Sequence, residues 1–202
     1  MTTLLTNSGI DVRPGQVDPA AVHIEDIAHA LSLRCRFLGH TRIHYSVAQH
    51  CLLVARILDG MDAPRDAILC GLMHDAHEAY VGNVPTSIKI LLGTAWSDVE
   101  LQAEAAVLTA TGLTHSMMDW RDLIRHVDRI ALATERRDLM RFDAGSNRPW
   151  VLAGIEPHPT PPRKADGHRI GGKTSFSNGS RDSAACRFTP CTPRCSGRHA
   201  RA

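Results

Sequence analysis

Apolar residues recur at helical spacing through the first three-quarters of the chain. Ile24, Ile27, Ala28 and Leu31 mark one stripe, which predicts an amphipathic helix entering at about His23. Ser46 is a good N-cap for a second helix carrying Val47, His50, Cys51, Val54, Ile57 and Leu58, and Gly60 is placed to end it. Asp62 and Pro64 open a third, since proline suits a first helical turn; it runs through Ala67, Ile68, Gly71 and Leu72 into GLMHDAHEAY, residues 71–80. VGNVPTSIK then reads as a loop, followed by a longer helix from about Trp96 to Thr109 and a turn at TGLTHS. The last strong helix is predicted from about Met117 to Arg141, with Trp120, Ile124, Val127, Ile130, Ala131 and Leu139 among its apolar positions. No stretch sustains the alternation of a strand and no internal repeat is found, so the predicted fold class is all-α, a helical bundle with short connections.

After Trp150 the pattern stops. EPHPTPPRKADGHRIGGKTSFSNGSRDS is rich in Pro, Gly, Ser and Arg, which predicts a body over 1–156 and a poorly ordered tail over 157–202. The 202 residues suffice for one domain with a substantial core and an appendage. Charge sharpens the division. The net +2 conceals nine basic against two acidic residues from 157 onward, leaving 14 basic and 19 acidic upstream. Any attraction to nucleic acid therefore belongs to the tail, where it would be weak and salt-sensitive. No apolar run approaches the roughly 18 residues that span a bilayer, and MTTLLTNSGIDVRPG lacks the basic start and long apolar segment of a signal peptide, so a cytoplasmic chain is expected. Cys35, Cys51 and Cys70 sit in apolar or helical contexts and read as small buried residues in a reducing compartment. Cys186, Cys191, Cys195 and His199 match none of the common C-x2-C zinc spacings and have almost no apolar residues nearby to fold around an ion.

The chemistry concentrates in GLMHDAHEAY, where apolar residues run into His74, Asp75, His77 and Glu78. Burying such a cluster without partners is costly. On a helix His74, His77 and Glu78 would lie on neighbouring rows and Asp75 would be turned by about 100° from His74, so these two can share an ion only over the edge between their rows. Two ligands do not make a stable site; three or four protein groups with open positions for water or substrate do. Two further polar residues interrupt apolar stripes: His50 in SVAQHCLLVA and Asp128 in HVDRIALATE. Each has a bland reading when taken singly, as a core histidine bonded to a carbonyl or a carboxylate paired nearby. Together they fit one site.

An isolated His, an adjacent His-Asp pair and a distant Asp, all on helices, resemble the HD superfamily of metal-dependent phosphohydrolases. The dipeptide alone says little. Its context, SVAQHCLLVA, GLMHDAHEAYVGNVPTSIK and VDRIALATE with IEDIAHALSLRCRFLGHT upstream, is similar to the 5'-deoxynucleotidase-like branch and related phage or prophage HD proteins. The resemblance spans residues 15–155 and implies an HD-domain helical bundle. It implies His50, His74, Asp75 and Asp128 as ligands of one divalent transition metal (Mn, Co, Zn, Fe or Ni). Glu78 matches the glutamate that handles protons, with Asp75 joining it at the reacting centre. Arg36 and Lys89 match basic positions that meet the substrate phosphate, and Phe37 stands where the nucleotidases carry a tryptophan near the nucleoside. His77 is a further candidate for substrate contact. Two departures stand out: Asn83 replaces an Asp implicated in recognising the sugar, and the family's last helix, due after GIEP, gives way to the Arg/Cys/Ser-rich tail.

The implied reaction is attack of a metal-activated water on phosphorus in a small nucleotide. A nucleoside 5'-monophosphate would yield nucleoside and phosphate; alternatively a dNTP would be cleaved at the α-phosphorus, releasing tripolyphosphate. A reading from another class, a non-catalytic nucleotide-binding HD module, predicts loss of a ligand or of Glu78, and neither is lost. A thermolysin-like peptidase is excluded because HEAYV lacks the second histidine of H-E-x-x-H. The resemblance further implies a homodimer. His40, His44, His115 and His126 read as structural or solvated, and Glu135, two turns past Asp128, as a residue of a charged face paired with an arginine.

Overall fold

The stripes become helices, and one of them, α2 (Val47–Gly60), forms the centre of the molecule. It starts where the Ser46 hydroxyl accepts from the Gln49 N–H while the Gln49 side chain accepts from the Ser46 N–H, a reciprocal cap that satisfies two otherwise orphaned donors. The computed structural model describes residues 3–152 and 154–162. The chain divides into two units, Met1–Gly167 and His168–Ala202, and every described residue lies in the first. The remaining helices are α1 (Ile24–Leu33), α3 (Arg65–Met73), α4 (Glu78–Val81), α5 (Thr86–Leu92), α6 (Thr94–Thr111) and α7 (Thr114–Leu139). The architecture is a helical bundle. Among the described residues no helix is long and apolar enough to cross a membrane.

Two faces of α2 are buried. Val47 and Cys51 pack with Ile27 and Leu31 of α1, Ala79 and Tyr80 of α4, and Val107 of α6. Leu53, Val54, Ile57 and Leu58 pack with Val127 and Ala131 of α7. Each such side chain contributes roughly 1.5–3 kcal/mol on burial. Gly71 sets how closely α3 lies on α2: a Cβ there would run into Leu58 Cδ1 and stand 3.3 Å from Val54 Cγ1. The small residue brings the C-terminal end of α3 against the helix that carries His50.

Several boundaries differ from expectation. A two-stranded hairpin, β1 (Leu4–Leu5) against β2 (Asp11–Val12), pairs Leu4 with Val12 and Leu5 with Asp11. With two residues per strand it is too short to show alternation. The stretch read as a loop ends at Pro85, whose carbonyl accepts from the Ile88 and Lys89 N–H groups and starts α5. That helix gives no periodic signal because Ile90 and Leu91 are exposed. Helix α7 begins at Thr114, three residues before the expected start, because left-handed Gly112 and the bond from Leu113 N to Leu108 O complete the turn after α6. The chain also stays on the body past 157: His158 N–H donates to Thr134 Oγ1 at 2.8 Å and Pro162 is buried. Proline-rich composition is compatible with an extended, packed segment. The predicted tail beyond Pro162, with Cys186, Cys191, Cys195 and His199, lies outside the described residues.

Candidate metal centre

GLMHDAHEAY is not one helix. After Met73 the backbone tightens, with Ala76 N bonded to Met73 O, Glu78 N to Asp75 O and Tyr80 N to His77 O, each at 3.0 Å. These bonds span three residues, the 3-10 pattern, which replaces the 100° advance of an α-helix by about 120°. The rows predicted for a continuous helix therefore do not apply. His74 and Asp75 both reach the centre, Glu78 heads α4, and His77 turns toward Glu100 of α6, Nε2 to Oε1 4.0 Å.

Three helical segments deliver their side chains to one point. His50 Nε2 lies 3.2 Å from His74 Nε2, 3.0 Å from Asp128 Oδ1 and 3.5 Å from Asp75 Oδ2. His74 Nε2 is 3.3 Å from Asp75 Oδ1. The other nitrogen of each ring is already engaged: His50 Nδ1 donates to Glu135 Oε1 at 2.6 Å, and His74 Nδ1 donates to the Gly71 carbonyl at 2.8 Å. A donating Nδ1 leaves the Nε2 lone pair for the centre, the arrangement that orients a metal-ligating histidine. Lone pairs converging this closely need a cation among them. His50, His74 and Asp128 offer ligand atoms all within 4.8 Å of one another, and these residues can hold a metal ion. Cys51 forms a similar group with His74 and Asp75. Burial and the neighbouring Asp75 push its thiol well above the ordinary range, so the neutral thiol packs beside the cluster.

The charges tell the same story. Burial and the Arg36 guanidinium oppose a charge on His50, yet Glu135 and Asp128 outweigh them and push its imidazole up to about 10. Burial likewise works against ionised Asp128 and Asp75. For Asp128 the His50 hydrogen bond and charge prevail, for Asp75 the charges of His74, His50 and Arg36, and both carboxyls fall below their usual range. Without an ion the centre holds a proton where a metal would sit, so the two compete.

Glu135 is the residue that sequence reasoning misplaced. Its expected ion pair with an arginine is present, but on no charged face: the side chain is fully buried between His50 and Arg36. The available signal was its position two helical turns beyond Asp128 on the same face of α7. Arg36 spans the site, one guanidinium nitrogen 3.4 Å from Asp75 Oδ2 and the other 3.2 Å from Glu135 Oε2. Burial opposes its charge, but those carboxylates keep it protonated.

The remaining candidates form a rim. Glu78 is 3% exposed and accepts from Asn83 Nδ2 at both oxygens, 3.0 and 2.9 Å. Burial, then the charge of Asp75, pushes its carboxyl up to about 8 against the pull of the Asn83 bond. A carboxyl poised near neutrality beside a cation site can take up and give back a proton. Asn83, expected at the sugar, is engaged with Glu78, and an Asp there would set a second carboxylate against the first. Lys89 pairs with Glu100 Oε1 at 2.6 Å, and His77, held neutral by burial, leaves Nδ1 without a partner among the described residues. Phe37 occupies a left-handed turn with Leu38, both at φ 52°, and its ring stands 5.9 Å from that of Trp150, centroid to centroid. The Arg36 guanidinium carbon lies 5.2 Å from the Phe37 centroid, which ties this aromatic pair to the centre.

No established family profile matches the chain. An uncharacterized protein of Rhodobacter capsulatus is 37% identical over 101 residues, 47% of this chain and 50% of that relative. The Escherichia coli (strain K12) protein YfdR, also described as uncharacterized, is 37% identical over 155 residues. That match takes in 77% of this chain and 81% of YfdR, and the chain belongs to the YfdR family.

Proposed function

We propose that the chain is a divalent-metal-dependent phosphohydrolase of the HD type acting on a small nucleotide. The observation that carries this reading is the meeting of His50, His74, Asp75 and Asp128 at one point, with the near-neutral carboxyl of Glu78 alongside. Two imidazoles and two carboxylates suit Mn²⁺, Co²⁺, Fe²⁺, Ni²⁺ or Zn²⁺ better than Ca²⁺, which prefers oxygen throughout. When bound, such an ion supplies a Lewis acid for a phosphoryl oxygen and acidifies water.

The chain's own groups do the rest. Glu78 takes the proton of the attacking water and returns it to the leaving oxygen, and Asn83 holds the carboxylate still between these steps. Glu135 fixes the His50 tautomer, while Arg36 anchors Asp75 from behind and keeps a positive charge under the site. Lys89 is released to phosphate when a substrate anion displaces Glu100. Phe37 and Trp150 give the rim an apolar edge for a nucleoside.

The test is a panel of nucleoside mono- and triphosphates assayed with each of these metals, following phosphate and tripolyphosphate separately. Hydrolysis is expected to require the metal and to fall about 10²–10⁴-fold in Glu78→Gln. Equal rates for wild type and Glu78→Gln on every substrate, or activity in chelator with no metal retained, would overturn the assignment.

A further inference from the structure

A cavity of about 140 Å³ opens on the outer edge of the metal centre, between the end of α3, α6 and α7. Its polar lining is His74 and Asp128 of the centre together with Arg121, Arg125 and Glu104. Met117 and Ile124 supply its apolar lining. The volume lies well below the roughly 300–1,000 Å³ of pockets that enclose whole small molecules, so a base and sugar do not fit. At about 30 Å³ per water it holds a few waters, or a compact anion.

Position along α7 gives the cavity a direction. Arg125 precedes Asp128 by one turn and Arg121 precedes it by two, so their backbone positions lie about 4.5 and about 10.5 Å from that of Asp128 along the axis. The two arginines thus share a face of α7 with Asp128 and line the same cavity. Arg121 is neutralised by Glu104 at 3.3 Å, whereas exposed Arg125 has no ion pair or hydrogen bond among the described residues. Planar guanidiniums bind phosphoryl oxygens in forked pairs, and a carboxylate such as Glu104 can be exchanged for a more highly charged phosphate. Arg36 does not serve this purpose, because Asp75 and Glu135 already occupy it.

We infer that Arg125, with Arg121 behind it, binds the phosphate groups that extend beyond the one held at the metal, so that the preferred substrate is a nucleoside polyphosphate. The inference rests on the phosphohydrolase reading but is tested apart from it, by binding. Inorganic tripolyphosphate is titrated into the full chain without added metal, since it would otherwise sequester the ion, and orthophosphate is titrated into the metal-loaded chain, where the metal holds it. Arg125→Gln should weaken tripolyphosphate binding about tenfold or more and leave orthophosphate within about twofold, and Arg121→Gln should cost less because Glu104 competes for that side chain. In turnover, Arg125→Gln should raise KM for a triphosphate and leave a monophosphate unchanged. Equal losses for the two anions, or none, would overturn the inference. Intact arginine-dependent tripolyphosphate binding in a chain that hydrolyses no nucleotide would instead remove the hydrolase reading and leave the anion site standing.

Discussion

The floor and the rim of the centre use the same residue types in opposite ways. In the floor, His50 and Glu135 are buried, Arg36 is largely so, and each satisfies the next, in a chain running from α2 through α7 to the turn after α1. At the rim, Lys89 and Arg121 are roughly a third exposed and meet glutamates that water also reaches. A buried charge must keep its partner, whereas an exposed pair can exchange it at little cost. The floor therefore fixes ligand geometry, and on the proposed reading the rim is where a substrate would enter.

Glu135→Gln is the sharpest way to break that contrast. It removes the negative charge beside His50 and leaves Arg36 with one carboxylate fewer in a largely buried site, a loss of about 3–5 kcal/mol in folding stability by urea denaturation. Metal affinity by titration calorimetry should drop about 10–100-fold. An effect as small as that of a surface variant would place Glu135 outside the support of the centre.

Glu78→Gln should act in the other direction on stability. The folded carboxyl titrates near 8 against an ordinary 4.5, so below about pH 4.5 it is neutral in both states and costs nothing. As pH rises from there the unfolded chain gives up its proton first, stability falls until about pH 8, and the full penalty stands above that. Metal-free Glu78→Gln is therefore expected to match wild type at pH 4.5 and to exceed it by about 2–4 kcal/mol at pH 8.5, while losing activity. No gain at the higher pH would remove the buried neutral acid from the account.

Lys89→Ala marks the small end of the scale. Its pair with Glu100 is short, but the lysine is 32% exposed, and the change in stability should stay within about 1 kcal/mol. KM for nucleotide is the more sensitive readout. A loss comparable to that of Glu135→Gln would show that rim and floor are one unit.

Much of this was legible in the chain itself. His50 and Asp128 stand out because each interrupts an apolar stripe, and the Ser46 cap fixes the phase of α2 and with it the direction of His50. The change of pitch at His74 was not legible, because residues with ordinary helix propensity carry no mark of an i to i−3 bond. Glu135 was hidden for another reason. It is followed by Arg136, Arg137 and Asp138, so its neighbours advertise a solvated face while its own position, seven residues after Asp128, points inward. Local composition outvoted helical phase, and phase was the better guide.

Thr134 spends its hydroxyl twice, donating to the Ile130 carbonyl and accepting from the N–H of His158. The peptide unit next along α7 carries Glu135. A single hydroxyl thus moors the segment beyond the bundle one residue away from the carboxylate that orients His50.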